Sequence, residues 1–500
     1  MSDTILVKTA RGAGWAIGWR MVTRLLGFLS TLVLARLLLP GDFGLVALAT
    51  GFSQGIMALS ELGMEEAVIR QHDSSREIYD TAFTINLLRG LATAAIVVAC
   101  AWPVAAFFKE PRLAPILLVL AGCTLIRAFE NIGTVEFRRD FVFHKEFRLL
   151  ILPRLSGVAV TIGAALVWHS HWALIAGIAT GQILETGMGY VMHPYRPRPG
   201  LRAWRRLAAF SVWSWAISIA IMVRDRVDGF VIGRSLGIAQ VGLYTAGAEI
   251  ALLPTHELAA PLSRACFSGF AAALRQETEI ASTYARILAS VILVALPIGA
   301  GVSLVAAPAV MLALGPNWSS AVPVVQILGC SGIVLAPGLV TGTLLSAHGL
   351  LRSSFVITML SMAFRAIGAI VLVRAYGLAG GALAHALTIV LENAAYMVIA
   401  FRHFRIRLTT AVALIWRGCL ATLAMAAVLT AAGLGVDVEA PARSLLLAAL
   451  TGAAVYAGVQ LGAWLLCGRP AGAERDLLTL VGRMPGVSRL RRVSPAGHVD

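Results

Sequence analysis

The sequence predicts an all-α integral membrane protein with about fourteen transmembrane helices. Of its 500 residues, 58% are hydrophobic and only 13% are charged, whereas a soluble domain is about 25% charged and 45–50% apolar. The apolar residues also fall into long runs, and the core of a bilayer takes about 20 such residues as a helix. Together, the composition and the runs exclude a soluble globular class.

About fourteen runs have the length and composition of a membrane span. Gly and Pro occur inside several of them, which membrane helices tolerate better than soluble helices do. The runs cover roughly residues 14–38, 43–67, 81–107, 113–132, 148–168, 172–192, 208–233, 243–270, 285–309, 319–346, 354–373, 379–401, 411–432 and 443–467.

Lysine and arginine are distributed unequally between the two sides of these spans. If the N-terminus is cytoplasmic, 27 of the 41 basic residues fall in cytoplasmic segments, six in outer segments and eight inside spans. Cytoplasmic loops carry such an excess in membrane proteins, so we expect both termini in the cytoplasm. The net charge of +15 is then explained by basic residues that set the orientation of the spans and lie at an anionic leaflet. No nucleic-acid partner is predicted.

A short internal repeat predicts two bundles of the same orientation. "ARLLLPGDFGLVA", from Ala35, resembles "GRSLGIAQVGLYT", from Gly233, and the offset of 198 residues aligns Arg36 with Arg234, Leu38 with Leu236, Gly44 with Gly242, Leu45 with Leu243 and Trp15 with Trp213. The repeat predicts parallel six-helix bundles over residues 1–200 and 201–408, two extra helices over 409–468 and a basic cytoplasmic tail over 469–500. In alternating-access transporters the substrate path runs between such repeats.

Four stretches resemble a known family of transporters. They are "TRLLGFLSTLVLARLLLPGDFGLVALA" (Thr23–Ala49), "LGMEEAVIRQ" (Leu62–Gln71), "DTAFTINLLRG" (Asp80–Gly90) and "EFRRDFVFHKEFRLL" (Glu136–Leu150). These resemble the bacterial polysaccharide-export flippases, the Wzx-type members of the multidrug/oligosaccharidyl-lipid/polysaccharide superfamily. The resemblance is specific over the first 150 residues and weaker beyond them.

The resemblance implies a V-shaped pair of bundles in the bacterial inner membrane. Its cargo would be an undecaprenyl-pyrophosphate-linked oligosaccharide, moved from the inner to the outer leaflet, and its partners a polysaccharide polymerase and chain-length machinery. The related lipid II flippases carry a similar "[ST]RxLGF" motif, which places Arg24 at a functional arginine of that branch. A second arginine of that branch is replaced here by Ser30, which argues against lipid II as the cargo.

Two arginines of the first span are candidate cargo ligands. Arg20 and Arg24 are four residues apart, so they share one face of the helix. Two stacked cations repel unless an anion lies between them, and arginine is suited to bidentate contact with phosphate. A structural pair with Glu61, Glu65 or Glu66 is the alternative.

The stretch "IMVRDRVDGFVIGR" (Ile221–Arg234) places four charges in the seventh span. Arg224 lies about 14 Å from the outer end of this helix, near the middle of the membrane. Arg224, Asp225 and Asp228 fall within about 100° of one face, and Arg226 points elsewhere. The stretch is either a fixed ionic latch or a cavity site. In the second case Arg224 or Arg226 binds phosphate, and Asp225 or Asp228 takes a proton or sodium ion.

The remaining arginines inside spans are expected to extend to the cytoplasmic surface and to carry no function. These are Arg89, Arg154, Arg365 and Arg417.

Other functions are less well supported by the sequence. A drug or cation antiporter of the same superfamily is the alternative, but it predicts acidic groups in excess within the spans, where arginine predominates. The outer loops, of roughly 2–12 residues, are too short for the catalytic layer of a polymerase. The chain has no GxxxxGK[ST] motif, so no ATPase is predicted. The six cysteines lie in or beside apolar runs and form no CxxC pair, so neither a disulfide framework nor a zinc site is predicted. No metal and no cofactor are expected.

Overall fold

The computed structural model describes residue 18 and residues 22–60, 75–140, 142–204, 212–275, 280–406, 408–469 and 474–475. Within these ranges the regular structure is entirely helical, without a strand. The predicted all-α fold class is therefore confirmed over the described part of the chain. Most of the predicted tail after residue 468 lies outside the described residues.

The helices follow the chain in the order of the predicted spans. Helix α1 covers residues 22–37. The others are α2 (Pro40–Ser60), α3 (Arg76–Phe108), α4 (Leu113–Ala128), α5 (Val135–Arg139), α6 (Phe143–Trp168), α7 (Trp172–Met192), α8 (Val212–Leu236), α9 (Ile238–Arg275), α10 (Ile280–Leu304), α11 (Ala306–Ala313), α12 (Val322–Ala347), α13 (Leu351–His403), α14 (Leu408–Ala431) and α15 (Pro441–Leu466).

Each predicted span overlaps one of these helices or half of one. Seven described helices are long and apolar enough to cross a membrane, and an eighth candidate combines α4 with residues Ile132–Arg139, which bend from it by 64°. Large apolar side chains at the outside of these helices are exposed, as expected for contact with lipid. The protein is a multi-pass membrane protein, and the count of fourteen spans stays a prediction.

Glycine at positive φ allows two abrupt changes of direction. Gly377 (φ 60°, ψ −134°) breaks the long helix α13 into two halves, which correspond to the predicted spans 354–373 and 379–401. Gly237 (φ 94°) lies between α8 and α9. Residues with a Cβ rarely adopt this backbone region, so the turns depend on glycine.

The chain divides into two compact units. The first contains the described residues up to Ala246 together with Ala313–Ser320 and Met362–Gly381. Its core includes Trp318, which is fully buried. The indole Nε1 of Trp318 donates to the carbonyl of Ala35 at 2.9 Å, and its ring meets that of Phe43 edge-on at 5.2 Å.

A polar network fixes the segment that follows α7 in the first unit. Asn131 is fully buried and donates to the carbonyl of Tyr195 at 3.1 Å. The Tyr195 hydroxyl donates to Asp80 at 2.7 Å, and His193 lies 3.0 Å from Glu136. Burial, with help from the Asp80 carboxylate, raises the pKa of Tyr195. The segment is therefore held against α3 and the bend after α4 by buried hydrogen bonds.

The second unit contains Gly247–Leu312, Ala321–Ser361 and the described residues from Ala382 onward. Its core joins α10 and α12 through Tyr284, Val340 and Leu344, all fully buried. The Tyr284 hydroxyl is 2.8 Å from Thr341 Oγ1, so the polar end of the buried ring is satisfied. These units are defined by contacts and the predicted bundles by the repeat, so the boundaries at residues 200 and 408 stay predictions.

Arg417 corrects one expectation from the sequence. Its side chain is not exposed at a surface but is buried, at 5% exposure. Its Nε donates to Glu474 Oε1 at 2.7 Å, and Gln460 donates to the same oxygen at 3.0 Å. The partner carboxylate lies beyond the last span, where hydropathy gives no sign that the chain returns to α14.

Replacing Arg417 by methionine is expected to lower the thermal midpoint of the detergent-solubilised protein by several degrees. Removing one partner leaves the Glu474 carboxylate buried without its cation, which costs about 3–5 kcal/mol for a buried pair. Thermal unfolding followed by fluorescence measures the shift. The same substitution together with Glu474→Gln should recover much of it; a single variant that melts like the wild type would show that the pair carries no stability.

Candidate functional site

The charges of α8 belong to a cluster in the first unit that also includes a residue of α13. Asp228 is 1% exposed, and both its carboxylate oxygens accept from Arg365 Nε, at 3.2 and 3.0 Å. Arg365 Nη2 also bonds to Asp228. The Tyr244 hydroxyl of α9 donates to the same carboxylate at 2.6 Å. Asp228 is thus held by charged and neutral donors from two other helices, the arrangement that a buried charge requires.

Arg365 is the second arginine whose predicted position was wrong. It was expected at the cytoplasmic surface, yet it is 4% exposed and buried beside Asp228. Its Nη1 is also 3.8 Å from Asp225 Oδ1. The Asp228 carboxylate compensates the charge of the arginine, so the side chain does not need to extend toward water. Since Arg365 and Asp228 are 137 positions apart, local periodicity carries no signal of the pair.

Asp225 and Arg224 form the more accessible part of the cluster. Arg224 Nε donates to Asp225 Oδ1 at 3.1 Å, and the Asp225 side chain is 50% exposed, against 16% for Arg224. Arg365 contacts both Asp225 and Asp228, so these two carboxylates share a face of α8, as the helical periodicity predicts. Asp228 is therefore enclosed, whereas Asp225 remains open to a ligand or ion.

Arg226 points to α2 and not toward Arg365. Its Nη2 donates to Gln54 Oε1 at 2.5 Å. The guanidinium lies against Gly51, where a Cβ would be 3.6 Å from Nη1. Gln54 is a neutral partner, so this hydrogen bond leaves the positive charge of Arg226 uncompensated. Gln54 was not among the predicted site residues, because a single amide in an apolar span belongs to no motif.

Arg24 lies on the exposed surface of α1, and Arg20 lies outside the described residues, as do Glu61, Glu65 and Glu66. Arg154 of α6 also approaches α1, because its Nη2 is 3.5 Å from the position that a Cβ of Gly27 would occupy. Gly27 is about one helical turn from Arg24. Arg154 was expected to have no role, and the structure brings it beside the helix of a candidate ligand.

The described cluster therefore has a charge surplus. Arg365 is paired with Asp228 and Arg224 with Asp225, and the surplus is the charge of Arg226, which lies beside the neutral Gln54. In a low-dielectric setting such a charge attracts an anion strongly. Chemically, arginines in this arrangement can bind a phosphate group.

Comparisons with known proteins place the chain among polysaccharide biosynthesis proteins. A family model described as "Polysaccharide biosynthesis protein" matches residues 33–323. The succinoglycan biosynthesis transport protein ExoT of Rhizobium meliloti is 25% identical over 67% of this chain and 69% of its own. The lipopolysaccharide biosynthesis protein WzxC of Escherichia coli is 24% identical over 70% of this chain and 72% of its own.

The fold is also similar to that of a solved transporter. The lipid II flippase MurJ, in an inward closed conformation, superposes with a TM-score of 0.76 and covers 93% of this chain and 99% of its own, at 13% identity. At this identity the likeness shows the fold alone, and it confirms the predicted class of helical membrane protein.

Proposed function

Since the chain belongs to the family of polysaccharide biosynthesis proteins, we propose that it is a lipid-linked oligosaccharide flippase. Its cargo is an undecaprenyl-pyrophosphate-linked oligosaccharide, which it moves from the inner to the outer leaflet of the bacterial inner membrane by alternating access. The product feeds biosynthesis of a surface polysaccharide, which is an exopolysaccharide, a capsule or an O-antigen. The protein acts as a transporter and not as an enzyme, with both termini in the cytoplasm.

The net positive charge of the α8 cluster carries the proposal. Arg226 is bonded to a neutral amide, and Arg224 is bonded to the half-exposed Asp225. A pyrophosphate can bind Arg226 directly and displace Asp225 from Arg224, because a bidentate phosphate contact is a strong charge-assisted interaction. Arg24 and Arg20 of the first span supply further positive charge. The two relatives named for succinoglycan transport and lipopolysaccharide biosynthesis support a cargo of this class.

Asp225 is the better candidate for ion coupling. Its side chain is 50% exposed, so a proton or sodium ion can reach it, whereas Asp228 is held by Arg365 and Tyr244. The membrane potential also favours export. A pyrophosphate diester carries about two negative charges, and moving both outward across about 100 mV releases roughly 4.6 kcal/mol.

Deleting the gene is expected to abolish the surface polysaccharide and to leave undecaprenyl-linked oligosaccharide in the inner leaflet. Without a flippase, the completed precursor cannot reach a polymerase and chain-length machinery on the outer side. Metabolic labelling measures the amount of lipid-linked sugar. A membrane-impermeant glycosidase added to spheroplasts then shows which leaflet holds it, because the enzyme reaches only the outer leaflet. Normal lipid pools with altered drug tolerance would instead favour an antiporter of the same superfamily.

A further inference from the structure

The glycines that the internal repeat aligns lie directly against each other's helices. A Cβ on Gly44 would overlap the carbonyl of Ile238 and lie 2.8 Å from the Gly242 nitrogen. A Cβ on Gly242 would overlap the carbonyl of Pro40 and lie 3.0 Å from the Gly44 nitrogen. Pro40 and Ile238 are also 198 residues apart. The glycine of each copy therefore meets the same position of the other copy, as in a two-fold symmetric contact.

Only glycine allows the backbones of α2 and α9 to come this close. The Cα hydrogen that a side chain would replace points at a carbonyl oxygen, which is a weak hydrogen bond that recurs where helices pack closely in membranes. Gly41, one turn earlier in α2, has nothing within 4 Å of its Cβ position. The close approach is thus local to Gly44 and Gly242.

Apolar side chains close the space around this contact. Leu45 and Val241, the neighbours of the two glycines, are 0% and 1% exposed. The contact lies at the ends of α2 and α9 that are predicted to face away from the cytoplasm. Tyr244, which bonds to Asp228, follows Gly242 by two residues. The contact therefore lies beside the charged cluster, at its predicted outer side.

We propose that the contact between Gly44 and Gly242 is the outer gate of the transport path. This inference rests on the proposed flippase function. A contact between two backbones through weak Cα–H···O bonds seals tightly when closed, and parting the backbones at Gly44 and Gly242 separates no charges. Equivalent positions of the repeat form the contact, so both close approaches are lost together when α2 and α9 part.

Cysteine labelling tests the gate without using the cargo. The reporter is Leu45→Cys in a protein whose six native cysteines are replaced by serine, treated in spheroplasts with a membrane-impermeant maleimide. We expect slow labelling from outside, because the gate opens only during part of each cycle. Adding Gly44→Ala or Gly242→Ala should raise the labelling rate at least tenfold and reduce surface polysaccharide, with the protein retained in the membrane.

Gly41→Ala is the matched control, since its methyl group enters open space; it should change neither labelling nor polysaccharide. Val241→Cys repeats the reporter test from α9, in case Leu45→Cys impairs folding. Absence of labelling at both reporters, with or without Gly44→Ala, would overturn the gate. If labelling behaves as expected but gene deletion leaves the polysaccharide normal, the flippase function fails while the gate stands.

Discussion

Replacing Arg365 by methionine is expected to deplete the protein from the membrane or to lower its thermal midpoint more than Arg417→Met does. The substitution removes the cation that faces Asp228, whose side chain is 1% exposed. Removing one partner of a buried ion pair costs about 3–5 kcal/mol, which is a large fraction of the 5–15 kcal/mol by which a typical protein is stable. Immunoblots of membranes and thermal unfolding in detergent measure the two outcomes.

A double variant separates loss of the pair from loss of packing. Asp228→Asn together with Arg365→Met removes both charges and keeps an acceptor for the Tyr244 hydroxyl. The double variant should therefore recover at least half of the decrease in thermal midpoint that Arg365→Met causes. Arg234→Met is the control, because this arginine is exposed and lies over the Phe107 ring at 5.4 Å. A double variant no more stable than Arg365→Met alone would show that the pair is not the source of the effect.

Alanine at Arg24, Arg224 or Arg226 is expected to reduce surface polysaccharide at least tenfold while the protein stays in the membrane. In the proposed site each arginine offers the cargo phosphate a charge-assisted hydrogen bond, and such a bond is worth about 1.5–3 kcal/mol. Since 1.4 kcal/mol is a factor of ten in binding, losing one contact should lower transport by one to two orders of magnitude. Quantified cell-surface polymer, normalised to membrane protein, is the measurement.

Lysine at the same positions distinguishes charge from geometry. It keeps the cation but cannot make the planar bidentate contact, so we expect intermediate polymer levels. Arg374→Ala is the matched control, because Arg374 is an exposed arginine in a predicted outer turn and should leave polymer unchanged. Wild-type polymer in all three alanine variants would contradict a phosphate-binding role for these arginines.

The helical fold could be predicted because membrane insertion imposes a strong local signal. A run of about 20 apolar residues marks a span wherever it occurs in the chain, and each predicted run overlaps a helix. The repeat aligns Gly44 with Gly242, and these two glycines meet in the structure, a contact that the alignment alone did not predict. The bend of 64° after α4 was not predicted, although Arg127, Glu130 and Asn131 interrupt the apolar run there.

The partners of the buried charges could not be predicted, because they are distant in sequence and carry no periodic signal. Hydropathy shows that Arg365 and Arg417 are inside spans but does not show which carboxylate lies beside them. The rule that isolated arginines extend to the surface therefore failed at both. The helical periodicity of α8 correctly grouped Asp225 with Asp228, because that relation is local.

Transbilayer movement of cargo in proteoliposomes is the most direct measurement of flipping by this protein. Purified protein is reconstituted with an undecaprenyl-pyrophosphate-linked oligosaccharide carrying a radiolabelled sugar, and an impermeant glycosidase is added outside. If the protein is a flippase, vesicles with the wild-type protein release nearly all of the label, because cargo from the inner leaflet reaches the outside. Vesicles with Arg226→Ala should release about half, the outer-leaflet share, within the same time. Release of only half by the wild-type protein, at any membrane potential, would contradict the account.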